Sequence, residues 1–165
     1  YFDVMFRLGD KLKVVLWQLP PHMSKPNLEK LEIFCAFLPP NVRHVIEFRS
    51  ENWYREDVCD LLDAYGVGFC EHDIVRGADG KGLHPPRLTG GFRYIRFHGA
   101  TGKYQGRYGE DGLRPWASEL QAYRGEAFVY FNNDLFGHAL MDAMDLASLL
   151  QEPIELPEES ALHWR

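Results

Sequence analysis

Apolar residues along the chain follow two alternating periods. Five short runs rich in Val, Ile, Phe and Tyr read as buried strands: Lys13–Leu19, His44–Arg49, Val67–His72, Phe92–His98 and Glu126–Asn132. Between most of them the apolar positions recur at helical spacing. Leu28, Leu31, Cys35 and Leu38 share one face of a helix over 28–38, which Asn27 caps and Pro39-Pro40 stops. Val58, Leu61, Leu62 and Tyr65 mark a second helix over 55–65, ended by Gly66. Leu113, Trp116, Ala117, Leu120 and Tyr123 mark a third over 111–124, ended by Gly125; Leu140, Ala143, Ala147 and Leu150 mark a fourth over 136–150. Strands alternating with helices predict an α/β fold, a parallel sheet with helices outside. The Gly-, Pro- and Arg-rich stretch 74–91 breaks the alternation and reads as a long loop. The expected domain covers residues 1–150, and 151–165 form an acidic tail, loosely packed or disordered.

Side chains alternate faces along a strand. In a parallel barrel the outward set packs on helices, and the inward set turns polar toward the C-terminal mouth, where barrel active sites lie. Val15, Trp17 and Leu19 oppose Val14, Leu16 and Gln18. Ile46 and Phe48 oppose Val45, Glu47 and Arg49. Phe69 faces helices, leaving Gly68, Cys70 and His72 inward. Ile95 and Phe97 oppose Tyr94, Arg96 and His98, and Val129 and Phe131 oppose Phe128, Tyr130 and Asn132. Polar groups buried in this number cost several kcal/mol, roughly, unless they pair with one another or with a ligand. Gln18, Glu47, Arg49, His72, Arg96, His98, Tyr130 and Asn132 are therefore expected to converge on one polar pit, with Asp73, Gly99, Asn133 and Asp134 along its rim.

Composition narrows the class. At 165 residues the chain fits one domain but falls short of the ~250 residues usual for a whole eight-stranded barrel. A net charge of −6 gives no support to a duplex-coating basic face. Cys35, Cys59 and Cys70 are odd in number and form no CxxC pair, which points away from a zinc ribbon and toward a reduced, cytoplasmic protein. No run approaches the ~18 apolar residues of a membrane span. The opening residues Tyr1–Phe6 lack an initiator Met and a signal-peptide pattern and read as the end of an amphipathic helix, so the chain is expected to be a fragment.

The strand ends supply residue types for acid–base and anion chemistry. Glu47 and His98 are the candidate catalytic pair. Arg49 and Arg96 suit a phosphate or carboxylate. Gln18, Tyr130, Asn132 and Asn133 would orient the ligand. Tyr104, Arg107 and Tyr108, in a Gly-rich loop before a helix, would form a lid that stacks on a base or sugar and holds a phosphate. Asp134 is the expected cap of the following helix, Trp53 a packing anchor, and His22, His84 and His138 belong to no constellation. The competing reading of Glu47, Arg49 and Arg96 is an ion-pair network that only fills the interior. A divalent metal held by His72 and Asp73 with Glu47 and His98 is the lesser alternative, because two arginines repel a cation.

Several of these segments carry a resemblance. Trp17-Gln18-Leu19-Pro20-Pro21 resembles F-Q-L-P-P, and Glu47-Phe48-Arg49 with Trp53 resembles E-F-R-x-x-x-W. Tyr94-Ile95-Arg96-Phe97-His98-Gly99 resembles Y-x-R-x-H-G, Tyr104-Gln105-Gly106-Arg107-Tyr108 resembles Y-x-G-R-Y, and Tyr130-Phe131-Asn132-Asn133-Asp134 resembles Y-F-N-N-D. As an ordered set over roughly Leu8–Leu150 they are similar to the YecE-like family, domain of unknown function 72. The resemblance implies a TIM-like (β/α) barrel with its site at the strand C-termini. It also implies that this chain holds about the last five strands of eight, with the family's G-T-S-G-W and N-x-T-F-Y segments upstream. Glu71-His72-Asp73 matches no family motif. The resemblance brings no established reaction. The functional expectation is an enzyme acting on a small anionic or phosphorylated substrate, a phosphodiester hydrolase or an isomerase. The alternative is a non-catalytic module that binds a nucleotide or nucleic acid.

Overall fold

The computed structural model describes residues 2–74 and 84–151. The middle of the expected 74–91 loop and nearly all of the acidic tail lie outside the described residues. The chain divides into two compact units, Tyr1–His98 with Gly125–Tyr130, and Gly99–Arg124 with Phe131–Arg165.

In the first unit, β1 (Val14–Gln18), β2 (Arg43–Glu47) and β3 (Gly68–Phe69) form a parallel sheet in that order. A second sheet carries β4 (Glu71–His72), β5 (Arg93–Phe97) and β6 (Ala127–Phe131) in that order, with β4 parallel to β5. The expected third strand is thus split. Cys70 stays extended and donates its N–H to Ile46 O at 2.9 Å. Gly68 and Phe69 pair with Val45 and Ile46, and two residues later Glu71 and His72 pair with Ile95 and Arg96. One extended run therefore changes partner midway, from β2 to β5.

Strand parity partitions the core as alternation requires. Ile46, Phe48 and Phe69 sit with Leu31 and Cys35 of α2 (Leu28–Ala36) and Val58, Cys59 and Leu62 of α3 (Glu56–Ala64). Val45 and Cys70 sit on the other face with Phe92 and Tyr94. Trp53 is the packing anchor: its ring stacks on Phe48 at 4.6 Å, and its N–H donates to Met23 O at 2.6 Å. Asn27 caps α2, accepting from Lys30 N at 2.9 Å. Glu56 and Asp57 set negative charge at the start of α3, where the helix dipole favours it. Gly66 leaves α3 at φ 64, and Val67 N donates back to Leu62 O.

In the second unit, α4 (Gly109–Ala122) packs on α5 (His138–Leu150). The stripe expected to bury α5 is displaced: Leu140 is 63% exposed, and Ala139, Asp142 and Leu146 are the buried positions. Asp142 accounts for the rotation. Its fully buried carboxylate accepts from Tyr108 N, Gly109 N and Asn133 Nδ2 at 3.1, 3.0 and 2.7 Å. The first N–H groups of α4 have no partner within their own helix, so a carboxylate from α5 caps them and complements the dipole. Asp134 does not cap α5, contrary to expectation. A 3-10 turn, Leu135–Gly137, intervenes, and the Asp134 side chain makes no capping bond.

Leu62 is fully buried and Phe37 is 81% exposed. Leu62→Ala is expected to cost about 2–5 kcal/mol of unfolding free energy, and Phe37→Ala to stay within about 0.5 kcal/mol of wild type. Denaturant melts of both variants check the contrast.

Candidate functional site

Glu47 ends β2 on the face opposite Ile46, and its side chain is fully buried. A buried carboxylate is unfavourable by several kcal/mol, roughly, unless countercharges meet it. Two do. Arg96 Nη1, from β5, donates to Glu47 Oε2. Arg49 Nε lies 2.5 Å from Glu47 Oε1, a charge contact outside hydrogen-bond alignment. Both guanidiniums then reach one further oxygen: Gln18 Oε1 accepts from Arg49 Nη2 at 2.9 Å and from Arg96 Nη1 at 3.3 Å. Gln18 is itself exposed, at the end of β1. It also lines a cleft of about 700 Å3 together with Trp17, Leu31, Phe34 and Trp53.

His98 follows β5 and completes the cluster. A guanidinium only donates, so the Arg49 Nη2 contact at 3.2 Å needs a bare Nε2 on His98. The imidazole proton then sits on Nδ1, which donates to Asp73 Oδ1 at 3.1 Å. The same oxygen accepts His98 N at 2.9 Å. Glu47 Oε1 lies 3.6 Å from Nε2. His72 takes the opposite tautomer. Ile74 N donates to its Nδ1 at 3.3 Å, and its Nε2–H donates to Phe48 O at 2.8 Å. The Tyr54 hydroxyl lies 3.0 Å from the same Nε2 and also reaches Phe48 O. Burial holds the Tyr54 phenol well above its usual pKa, which keeps that hydroxyl protonated. The two imidazole rings meet edge to face, with centroids 5.7 Å apart.

Glu47, His72 and His98 bring one ligating atom each within 4.8 Å of one another. This donor set does not fit a cation. Both Glu47 oxygens face guanidiniums, both His72 nitrogens are engaged, and Asp73 Oδ1 is taken by His98. Of the residues in the metal alternative, Glu47, His72 and His98 lie close together, whereas Asp73 Oδ1 is engaged by His98.

The first unit thus gathers Gln18, Glu47, Arg49, His72, Asp73, Arg96 and His98. Tyr130 also belongs to it but is 43% exposed, with its ring stacked on Tyr94 at 5.0 Å. The remaining expected residues lie in the second unit. Asn133 is fully buried and donates to Gly106 O and Asp142. Arg107 pairs with Asp145 at 2.5 Å, and the Tyr108 hydroxyl accepts Gly99 N at 2.6 Å. These three brace the loop ahead of α4, where ligand contacts were expected. Tyr104, at φ 62, and Asn132 border an open depression of about 800 Å3 with Lys103 and Asp134. Two contributors were not singled out from sequence. Asp142 left a signal, a carboxylate inside an otherwise apolar helical stretch; Tyr54 left none.

Two expectations follow. Glu47→Gln leaves two arginines without their countercharge and should lower stability by about 3–5 kcal/mol in a denaturant melt. Burial, first among its causes, pulls the His72 pKa down to about 4 from 6.5. The unfolded chain therefore binds a proton that the folded chain refuses between these values. Stability should fall as pH drops from about 6.5 to about 4, by up to about 3 kcal/mol. His72→Gln, which keeps a donor for Phe48 O, should flatten that slope in melts across the pH range.

Comparison with known proteins gives the same picture of kinship from sequence and from fold. A profile described as "Protein of unknown function DUF72" matches residues 1–163. The UPF0759 protein YunF of Bacillus subtilis (strain 168) is 27% identical over 171 residues, covering 86% of this chain and 59% of YunF. A solved DUF72 family protein from Thermotoga maritima MSB8 superposes with a TM-score of 0.74 at 27% identity, covering 91% of this chain and 64% of that one. Another from Enterococcus faecalis V583 gives 0.76 at 15% identity, a likeness of fold alone, covering 94% and 66%. The chain thus spans about 59% to 66% of the length of these relatives. On a match that runs through both units, the chain belongs to the DUF72 family.

Proposed function

We propose that the first unit is part of a TIM-like (β/α) barrel and that its strand C-termini form the binding end of an enzyme for a small anionic or phosphorylated substrate. The observation that carries this reading is the convergence of two guanidiniums, one from β5 and one just past β2, on one exposed neutral acceptor, Gln18 Oε1. A phosphate or carboxylate oxygen offers those N–H groups a better acceptor than an amide does, because charge-assisted hydrogen bonds are roughly twice as strong as neutral ones. The substrate oxygen would take the position of Gln18 Oε1, with the cleft beside Gln18 as the way in.

Glu47 and Asp73 balance the two arginines in charge, so the selection for an anion comes from directed N–H groups. This divides the roles expected of the acid–base pair. Glu47, with both oxygens against guanidiniums, is a poor base and serves to hold the arginines. His98 does the proton transfer, its Nε2 facing the same Arg49 nitrogen that binds the anion. Phosphodiester hydrolysis suits this arrangement, because the proton to be moved lies next to the bound anion.

Calorimetric titration with inorganic phosphate tests the anion site. Wild type should bind, and Arg96→Gln or Arg49→Gln should weaken binding about tenfold or more. Equal affinity in all three proteins would remove the reading. His98→Ala should keep phosphate affinity within about threefold, since it loses only a neutral acceptor of one Arg49 N–H, and should abolish turnover of a p-nitrophenyl phosphodiester. Phosphate binding without turnover in wild type would leave the non-catalytic binding module in its place.

A further inference from the structure

We propose that Asp73 is a positioning residue, which fixes the His98 imidazole with its proton on Nδ1 and so makes Nε2 the nitrogen that takes up and returns a proton during turnover. The inference rests on the anion site proposed above and assigns the work within it. Asp73 follows β4 directly, and a single oxygen, Oδ1, accepts both the backbone N–H of His98 and its ring Nδ1–H, at 2.9 and 3.1 Å. The backbone bond sets where the ring is attached, and the ring bond sets how it is turned. A side chain held at two points in this way loses little further freedom when it works.

The tautomer does not depend on Asp73 alone for its assignment. Arg49 Nη2 faces the opposite nitrogen and favours the same state, and Asp73 adds the acceptor that holds Nδ1–H, so loss of Asp73 moves the population toward Nε2–H without reversing it. Among the described residues, the groups facing His98 include Glu47 and Arg49 from the end of β2, and His72 and Asp73 from β4 with the residue after it. Among them, Asp73 is the carboxylate placed to stabilise the imidazolium that forms when Nε2 accepts a proton. The neighbouring His72 is locked in the opposite tautomer by Ile74 N and Phe48 O, so it does not substitute.

The geometry also limits which proton is moved. Nε2 and Gln18 Oε1 share one donor, Arg49 Nη2, and so lie no more than two hydrogen-bond lengths apart. An oxygen bound in place of Gln18 Oε1 therefore shares the Arg49 nitrogen with Nε2, which places the proton carrier beside the anionic group.

Nitrogen-15 NMR of the histidine side chains in the full chain tests the assignment. In wild type His98 should show a protonated Nδ1 and a bare Nε2, and His72 the reverse. In Asp73→Ala the His98 population should move toward Nε2–H, while His72 keeps its pattern. A wild-type His98 that carries its proton on Nε2 overturns the proposal, as does an alanine variant with an unchanged pattern. Should that variant fail to fold, the wild-type spectrum carries the test unaided. Inorganic phosphate added to wild type should shift the Nε2 resonance and leave Nδ1 protonated. If Nε2 does not move, the anion site fails and the proton-carrying role with it, even where the first spectrum shows the stated tautomer.

Discussion

The carboxylate of Glu47 stands fully buried between the guanidiniums of Arg49 and Arg96, and the first unit is organised around that contact. No single partner serves as well. One arginine would leave an oxygen of the carboxylate facing apolar neighbours, and two arginines without the acid would repel each other in a poorly solvated space. With all three present the charges settle, and the outer N–H groups of both guanidiniums are left pointing the same way. Gln18 meets them from β1 and His98 from the end of β5. In the proposed function, anion recognition is thus a by-product of how a buried acid is neutralised.

The run from Val67 to Asp73 is the second constraint. By pairing with β2 and then with β5, it brings residues from both sheets to one place and delivers His72 and Asp73 beside the end of β5. There the backbone settles the chemistry of the side chains. Phe48 O and Ile74 N fix one imidazole, and the charged neighbours Asp73 and Arg49 fix the other in the opposite tautomer. In the second unit Asp142 has a comparable place, a buried acid met by the N–H groups at the start of α4 and by the Arg107 guanidinium. The two buried acids differ in what they leave over: Glu47 leaves donors aimed at an exposed acceptor, while Asp142 is consumed in holding its own loop.

Much of this was legible from residue order because alternation and helical spacing report directly on burial. Ile46, Phe48 and Phe69 went to the helices, and Val45 and Cys70 to the other face, as their positions required. The α5 stripe failed because spacing counts apolar residues, whereas the helix turned to satisfy the carboxylate of Asp142. Asp134 failed as a cap because local chemistry cannot see an intervening 3-10 turn. Asn133, Arg107 and Tyr108 also make hydrogen bonds and ion pairs inside their own unit, partners that residue order does not reveal.

Sequence alone determined which residues are extended, which are helical, and which polar side chains share a strand face with Glu47, since these follow from local periodicity. It also set the family, through motifs that lie at the strand ends and in the loop ahead of α4. Tertiary structure decided how those polar groups divide the work: that Glu47 anchors arginines, that Asp73 turns to His98, and that one extended run serves two sheets. Those outcomes depend on which donor meets which acceptor across distances of 20 to 80 residues along the chain, and no local pattern encodes that choice.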